Sequence, residues 1–346
     1  MKRRASTGAP EFYTFARGFL HTYLTTIRRL SPKTVEAYRI SLECFLTFLA
    51  EVGHVDRADV GFDHFDRPHL KAWMAWLTAD RHYSPNTVAL RVSAIKAFLG
   101  YAAAEDITLM ALAQAARTLK PPTAPKKPIE YLTQDETRAV LAAHPGQTAK
   151  SRRNRMLLIL LYDTAARVSE ITALTLADLS LSKPAHVMLT GKRDKTRIVP
   201  LGDKTVEHLR VYLAEFHPNT ARHASTRPVF YSNHGGQPAA LSADTVTAVL
   251  KQAATSARDT CPTVPASIHC HMLRKTKAMD LYQQGIPLPI IMRLLGHENM
   301  TTTAAFYAFA TIDMMRAAVN AATPTADSPA CRPLTKDTLQ ALYSLR

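Results

Sequence analysis

The feature that most constrains this chain is a proline-rich stretch about one third of the way along it, LKPPTAPKKPIEYLT at residues 119–133. Its four prolines lack a backbone N–H and disfavour both helix interiors and central strands. This composition predicts an extended linker. We therefore expect a domain over residues 1–120, a linker over 121–128, a larger domain over 129–322 and a C-terminal tail over 323–346.

The charge of the chain indicates its partner. Its 346 residues are too many for one typical core, and 47% of them are hydrophobic, which is ordinary for a soluble globular protein. The net charge is +15, with 16 basic and 11 acidic side chains up to residue 120 and 27 and 17 beyond it. Because both parts are basic, a polyanion such as nucleic acid is favoured over a membrane surface.

Export and membrane insertion are not predicted. The longest strongly apolar run, MLLILLY at 156–162, has seven residues, whereas a membrane span needs about 20. The basic start MKRR lacks the apolar stretch of a signal peptide after it. The cysteines lie far apart without a Cys-x-x-Cys pair, which indicates reduced thiols in a cytoplasmic protein. They are Cys44, Cys261, Cys270 and Cys331.

Before the linker, the chain repeats a helix-start signal. Ser-Pro-x-Thr begins at Ser31 and again at Ser84, with serine placed to cap a helix and proline in its first turn. Apolar residues then recur at helical spacing, and two further helical stretches complete a small all-helical bundle. Arg39, Arg91 and Lys96 lie on or near its polar faces, where plain solvation is the simpler interpretation of each.

After the linker, the pattern predicts a mainly helical domain with a small antiparallel sheet. Thr133 and Glu136 form a Thr-x-x-Glu capping box, and a buried helix, NRMLLILLYDTAA, follows. HVMLT, GKRDKT and RIVPL predict the strand, charged turn and strand of a β-hairpin. The remainder is mostly helical, interrupted by YSNHGGQP and CPTVPAS, and it ends with a helix at about 312–321 and a short amphipathic helix from about Thr335. The expected fold class is therefore mainly α, a helical bundle followed by an α+β domain.

Four segments of the second domain carry polar side chains where a core would exclude them. They are DTAARVSEITALTLADL, the hairpin tip, HCHMLRKTKAMDLY and RLLGHENMTTTAAFYAFA. In the third segment a histidine and an arginine stand three residues apart, so they share one helical face. The candidate residues are Arg167, Lys192, His271, Arg274, His297 and Tyr307.

Each feature taken alone has a plainer interpretation. These are a surface salt bridge between Arg167 and Glu170, a solvated hairpin tip, a polar helix face, and a buried histidine beside a core tyrosine. Glu170 itself is interpreted as a structural partner that supports an arginine or a helix. The HCH triplet at 269–271 does not indicate zinc, because adjacent residues point to different sides and no further ligand cluster accompanies it.

The order of these residues resembles that of the tyrosine recombinase (phage integrase) family of site-specific DNA recombinases, of the simple two-domain type. The matching text is ARVSEI, GKRDKTRIVPL, HMLR and LLGHE followed by FY. No single box is specific, but five elements in the right order behind a basic helical domain and a proline linker are strong together. The Ser-Pro-x-Thr helices also resemble that family's SAM-like core-binding domain, so the resemblance covers essentially the whole chain.

The resemblance implies an enzyme that cleaves and rejoins double-stranded DNA as a homotetramer on paired sites with short inverted core sequences. Tyr307 would attack the phosphodiester and form a 3′-phosphotyrosyl bond. Arg167 and Arg274 would clamp the phosphate, a task that suits the permanently charged, planar guanidinium. The tail at 323–346, or the helix at about 312–321, would dock on a neighbouring protomer, and the plainer interpretation is that it folds back on its own domain.

The resemblance assigns the remaining residues as well. His271 would be the general base, Lys192 the general acid for the leaving 5′ oxygen, and His297 a donor to a non-bridging oxygen. It implies no cofactor, no metal and no membrane.

The sequence departs from the family's pattern in three places. Ala165 stands where the family usually has glycine, two residues before the first arginine. Phe306 holds the usual slot of the nucleophile, so the assignment of Tyr307 requires a loop that is one residue longer. Lys192 lacks the more typical glycine after it, which leaves Lys195 as a rival for the lysine role.

Two alternatives stay open beside recombination. One is a type IB topoisomerase-like enzyme that relaxes DNA, and the other is a catalytically inactive DNA-binding regulator. The complete set of six residues argues against the regulator, and the two-domain layout with a tail favours recombination over relaxation. A supercoiled plasmid with and without paired sites, scored for topoisomers and recombinants, separates the three.

Overall fold

The chain is mainly helical with two small antiparallel sheets, which confirms the predicted fold class. The computed structural model describes residues 11–125, 130–191, 194–218, 226–234 and 236–296, together with Arg316 and Val319. The chain divides into two compact units, Met1–Lys127 and Pro128–Arg346. Residues 119–125, around the start of the predicted linker, form neither helix nor strand.

The N-terminal unit is a bundle whose two longest helices begin where the sequence places their caps. Ser31 Oγ accepts a hydrogen bond from the Thr34 N–H at 3.3 Å, and Ser84 Oγ accepts one from the Thr87 N–H at 3.3 Å. Each serine is followed by proline in the first turn, as predicted. The helices are α1 (Phe12–Gly18), continued by a π-helical segment (Phe19–Ile27), α2 (Pro32–Glu51), α3 (Arg67–Ala79), α4 (Pro85–Glu105) and α5 (Met110–Arg117), with 3-10 turns at Arg57–Asp59, Phe62–Phe65 and Ile107–Leu109.

An aromatic core holds this bundle together. Phe45, Phe65, Phe98 and Trp73 are all essentially fully buried. The Phe45 ring meets Trp73 edge-on with centroids 5.2 Å apart, and it lies 4.6 Å from the Phe65 ring. Such aromatic pairs stabilise beyond the apolar area that they bury.

The three cations on the predicted polar faces have partners within the bundle. Arg39 donates to the glutamate three residues before it, at 2.7 and 2.8 Å. Arg91 Nη1 donates to Ser41 Oγ at 3.2 Å, and Lys96 Nζ donates to the Leu119 carbonyl at 2.6 Å. These contacts favour structural roles, with Lys96 holding the chain where the proline-rich stretch begins.

One helix of the described residues, α4, is long and apolar enough to cross a membrane by length and composition. It lies outside the apolar run at 156–162, on which the sequence-based expectation rests. In the structure α4 buries Val88, Ile95, Phe98 and Leu99 in the core of the bundle. A core helix of a globular domain passes the same test, so this helix is weak evidence for a membrane span.

The C-terminal unit begins with the predicted capping box. Glu136 Oε2 accepts from the Thr133 N–H at 2.8 Å, and Thr133 Oγ1 accepts from the Glu136 N–H at 3.3 Å. The helices of this unit are α6 (Gln134–Ala142), α7 (Ala149–Asp163), α8 (Val168–Thr172), α9 (Asp203–Phe216), α10 (Ala243–Ala257), α11 (Cys270–Gln283) and α12 (Leu288–Leu295).

The predicted hairpin is part of a three-stranded antiparallel sheet. Its strands, in spatial order, are β1 (Leu179–Ser180), β2 (His186–Thr190) and β3 (Thr196–Pro200). A second hairpin, β4 (Tyr231–His234) and β5 (Gln237–Ala240), lies at the YSNHGGQP segment, which was predicted only to interrupt the helices. The strands of that hairpin were missed because YSNHGGQP is polar and lacks apolar alternation.

The predicted buried helix, α7, lies at the centre of this unit. Leu157, Leu158, Leu160 and Leu161 are completely buried, and α7 packs against α6, α9 and α11. Because α7 ends at Asp163, its packing fixes the backbone that leads into the first candidate arginine.

Several predictions concern residues outside the described ranges. These are the helix at about 312–321, apart from helical backbone at Arg316 and Val319, the amphipathic helix from Thr335, and the tail at 323–346. The tip residues Lys192 and Arg193 are outside them too.

Replacing Ser31 or Ser84 with alanine should lower the free energy of unfolding of the N-terminal unit by about 1 kcal/mol, because a first-turn N–H loses its acceptor. Ser93→Ala is the matched control, since this exposed serine lies inside α4, where alanine has the higher helix propensity. Trp73 and Trp76 are the two tryptophans of the chain, so urea unfolding followed by fluorescence reports on this unit. Equal losses in all three variants would contradict the capping role.

Candidate functional site

Arg167 lies at the turn that joins α7 to α8 and is the residue immediately before α8. The Glu170 carboxylate accepts from the Arg167 backbone N–H at 2.7 Å and from its Nη1 at 2.8 Å. The Glu170 side chain is completely buried, whereas that of Arg167 is 41% exposed. The salt bridge that was the plainer interpretation is therefore present, but the guanidinium of Arg167 stays open to solvent, where an anion can reach it.

A second arginine, Arg197 on β3, shares the same carboxylate. Its Nη1 and Nη2 donate to the two oxygens of Glu170 at 2.7 and 2.8 Å, a bidentate pair. Burial alone would raise the pKa of the Glu170 carboxyl, but hydrogen bonds from Arg197 and Arg167 hold it below its ordinary value. Glu170 is thus an ionised group that supports both arginines, in agreement with its predicted structural role.

Arg274, on α11, is the most buried cation of the group, with 2% of the residue exposed. Its Nη1 donates to the Ala165 carbonyl at 2.6 Å, and its Nη2 donates to the Leu295 carbonyl. Its Nε has no hydrogen-bond partner among the described residues. Burial, together with repulsion from Arg167 and Arg197, lowers the pKa of Arg274 to about 9, so the guanidinium is still protonated at neutral pH.

His271 lies one helical turn before Arg274 on α11. Part of the ring is open to solvent, but the surrounding protein removes some of its hydration. This desolvation, followed by repulsion from the cations of Lys275, Arg274 and Arg167, lowers the pKa of His271 from its ordinary value of about 6.5. The imidazole is therefore neutral at pH 7 and able to accept a proton.

Gly191 brings the β2–β3 hairpin against the carboxylate. A Cβ atom at this position would lie 3.0 Å from Glu170 Oε1 and 3.7 Å from Arg167 Nη1, so a side chain would crowd the pair. The Gly191 N–H donates to the Lys195 carbonyl at 2.8 Å, and the Lys195 side chain is exposed. Lys192, directly after Gly191, is outside the described residues, and both lysines remain candidates for the lysine role.

Gly296 brings the end of α12 against Arg197. It ends the helix in the left-handed region, at φ +64°, which glycine adopts without strain. A Cβ atom there would lie 3.0 Å from Arg197 Cδ, while Arg197 Nε donates to the Leu294 carbonyl at 2.9 Å. The residue after Gly296 is the candidate His297, so the arginine cluster lies next to the residue that precedes this histidine.

The structure brings half of the predicted site together. The candidates that it describes near one another are Arg167, His271 and Arg274. The candidates outside the described residues are Lys192, His297 and Tyr307.

Arg197 was not selected from the sequence. On β3, Val199 is completely buried and Ile198 is 66% exposed, so Arg197, two residues before Val199, faces inward with it. An arginine on the inner face that alternates with an apolar residue on the outer face reverses the usual pattern of a half-buried strand. This reversal is the sequence signal from which Arg197 could have been selected as a site residue.

The described residues of this site do not form a set of ligands for a metal ion. Among the residues that the structure describes, no group of three or more His, Cys, Asp and Glu side chains is arranged to hold an ion. His269 of the HCH triplet instead caps α11, with its Nδ1 accepting from the Met272 N–H at 3.0 Å.

Ala165 adopts a left-handed backbone, at φ +48°, directly before the turn that carries Arg167. Its carbonyl is an acceptor for Arg274, so this conformation shapes the cluster. A residue with a Cβ is strained there by about 1–2 kcal/mol. This strain explains why the family that the sequence resembles usually has glycine at this position.

Ala165→Gly should change the free energy of unfolding by less than about 1 kcal/mol, because relief of backbone strain offsets the loss of a buried methyl group. Ala166→Gly is the control, since Ala166 is also buried but lacks a positive φ, and it should lose about 1–2 kcal/mol. Urea unfolding followed by far-ultraviolet circular dichroism measures both. Equal losses at the two positions would show that Ala165 is unstrained.

Comparison with known proteins places these observations in one family. The phage integrase family model matches residues 130–311, and the model of the phage integrase N-terminal SAM-like domain matches residues 18–106. Tyrosine recombinase XerD of Mycobacterium tuberculosis is 32% identical over 311 residues, covering 87% of this chain and 94% of that protein. Tyrosine recombinase XerC of Pediococcus pentosaceus is 29% identical, covering 82% and 90%.

The fold agrees with that of a solved recombinase structure. The solved structure of the XerH site-specific recombinase, bound to a palindromic difH substrate in a post-cleavage complex, superimposes with a TM-score of 0.65 at 20% identity, covering 85% of this chain and 81% of that one. One family model matches a segment of each unit. The chain therefore belongs to the phage integrase family of tyrosine recombinases, the enzymes of site-specific DNA recombination.

Proposed function

We propose that this protein cleaves and rejoins duplex DNA through a 3′-phosphotyrosyl intermediate, as a homotetramer on paired sites with short inverted core sequences. The observation that carries the proposal is the cluster of Arg167, Arg197 and Arg274, whose described acidic partner is Glu170. Buried charges are normally paired, so a surplus of cations indicates a site for an anion. The phosphodiester of DNA supplies one.

Arg167 and Arg274 serve as the phosphate clamp. Both are held in place before DNA arrives, Arg167 by Glu170 and Arg274 by the Ala165 and Leu295 carbonyls. Negative charge on the phosphate grows as the phosphorus becomes pentacoordinate. Fixed cations in a site with little water stabilise that growing charge more than mobile cations in solvent do.

Tyr307 is the nucleophile. A phenol with a pKa of about 10 reacts slowly at neutral pH unless a base takes its proton. His271, neutral at pH 7, accepts that proton as the Tyr307 oxygen bonds to phosphorus and the bond from phosphorus to the 5′ oxygen breaks. His297 donates a hydrogen bond to a non-bridging oxygen.

The leaving 5′ oxygen needs a proton, which Lys192 supplies, with Lys195 as the rival. The glycine before Lys192 lies against the Arg167–Glu170 pair, which supports a hairpin tip close to the phosphate. The 3′-phosphotyrosyl bond conserves the energy of the broken phosphodiester. A 5′ hydroxyl from the partner strand then attacks the phosphorus, releases Tyr307 and joins the strands.

The two units have different proposed roles. We assign core-site binding to residues 1–120, catalysis to residues 129–322 and docking on a neighbouring protomer to the tail at 323–346, with 121–128 as the linker. The excess of basic side chains on both sides of residue 120 supports DNA contact by both units. The described cysteines, Cys44, Cys261 and Cys270, are free thiols, which supports a cytoplasmic enzyme.

The decisive experiment identifies the nucleophile. Inverted repeats in the DNA that flanks the gene supply candidate sites, which are made as nicked suicide duplexes so that cleavage traps the protein on DNA. After digestion, mass spectrometry should find the nucleotide on the peptide that contains Tyr307. Tyr307→Phe should bind the duplex with unchanged affinity and trap none, because phenylalanine has no oxygen to attack phosphorus.

Two other tyrosines act as internal controls for that experiment. Tyr282 lies in α11 and Tyr343 lies in the tail, and neither follows the histidine box at the family's spacing. An adduct on either one, or full trapping by Tyr307→Phe, would overturn the assignment of the nucleophile.

The pH dependence of cleavage tests His271. The pKa of His271 in the folded protein is lowered from its ordinary value of about 6.5, so the neutral base is lost as the pH falls through that lower pKa. The trapping rate at subsaturating DNA should therefore decline on the acid side with a midpoint below pH 6.5. His271→Gln should trap DNA about 100-fold or more slowly, and its trapping rate should no longer decline on the acid side.

His208→Gln provides the matched change at an exposed histidine of α9 and should leave the pH profile unaltered. An acid-side decline centred above pH 6.5 in the wild type, or one that persists in His271→Gln, would exclude His271 as the base.

A further inference from the structure

Charge is divided unequally among the side chains of Glu170, Arg197 and Arg167. Glu170 is completely buried and Arg197 is 11% exposed, while Arg167 is 41% exposed. Arg197 binds both carboxylate oxygens through its two terminal nitrogens, whereas Arg167 uses one side-chain nitrogen and its backbone N–H. The buried pair that neutralises itself is therefore Glu170 with Arg197, and the positive charge that remains is on the exposed Arg167.

Without Arg197, the same carboxylate would cancel Arg167. The two groups would form a neutral pair, and the side chain that faces solvent would attract a phosphate less strongly. A single ion pair in a site of low dielectric weakens the interaction of either partner with a third charge.

Arg197 also connects Glu170 to the end of α12. Its Nε donates to the Leu294 carbonyl at 2.9 Å, and its Cδ lies where a Cβ at Gly296 would approach within 3.0 Å. One side chain thus links the turn of Arg167 to the helix end that precedes His297.

We infer that Arg197 is a positioning residue of this enzyme, which supplies the counter-charge for Glu170 so that Arg167 keeps its positive charge for the scissile phosphate. Burial of a cation on the inner face of a strand is costly, and an apolar residue would satisfy the sheet there without that cost. The counter-charge role explains why an arginine occupies the position. The inference rests on the proposed function of Arg167 as a phosphate clamp.

The experiment is a charge-rescue series on the full chain. Arg197→Met removes the counter-charge and should slow trapping on the suicide duplex by about 100-fold. Adding Glu170→Gln removes the carboxylate charge while glutamine still fits a capping box, so the double variant should return to within about tenfold of the wild type. Arg197→Lys keeps the charge but not the bidentate geometry, and it should lie between the wild type and Arg197→Met.

Arg152→Met is the matched control. Arg152 makes a comparable pair with Glu215, at 2.7 to 3.1 Å, on a part of the unit outside the arginine cluster. It should trap DNA at the wild-type rate. Circular dichroism confirms that each variant is folded.

A second readout needs no bond cleavage. Calorimetric titration with inorganic phosphate should show Arg197→Met binding at least about tenfold more weakly than the wild type, with affinity recovered in the double variant. If the wild type traps no DNA, the proposed function fails and this titration alone decides the inference. Equal phosphate affinities or equal trapping rates in the wild type and Arg197→Met would overturn it, and so would a double variant that shows no rescue.

Discussion

The buried carboxylate of Glu170 is the interaction on which the site depends. It accepts four hydrogen bonds, one from the backbone and three from two arginines, in a place from which water is excluded. An ion of this kind is tolerated only when its partners are complete. The turn after α7, strand β3 and, through Arg197, the end of α12 therefore have one compatible arrangement. The Glu170 side chain thus fixes three separate segments of the chain relative to one another.

Much of the fold follows from local signals in the sequence. The helix starts at Ser31, Ser84 and Thr133 are cap motifs whose hydrogen bonds involve neighbours within four residues. The β2–β3 hairpin is also local, because a charged turn separates two apolar strands. The second hairpin escaped prediction because its strands are polar and depend on tertiary contacts, such as the bond from the Arg153 Nη1 to the Tyr231 carbonyl.

The sequence indicates the residue types of the candidate site but much less their arrangement. The resemblance selects Arg167, His271 and Arg274, but sequence distance does not reveal that Arg274 reaches back across 109 residues to the Ala165 carbonyl. Arg197 was overlooked because an arginine in a strand next to a charged turn is ordinarily exposed. Only the pairing of β3 with β2 and the contact with α12 turn it inward. The positions of Lys192, His297 and Tyr307 stay predictions.

The partners of Arg274 have a consequence for the enzyme at rest. Both of its described acceptors are backbone carbonyls, which carry no net charge, so nothing in those two contacts cancels the guanidinium. Under the proposed function, Arg274 therefore carries a positive charge that neither contact compensates before DNA binds, and we expect small anions to bind there. The DNA phosphate would then have to displace such an anion, so the anions of the surrounding solution would compete with the substrate.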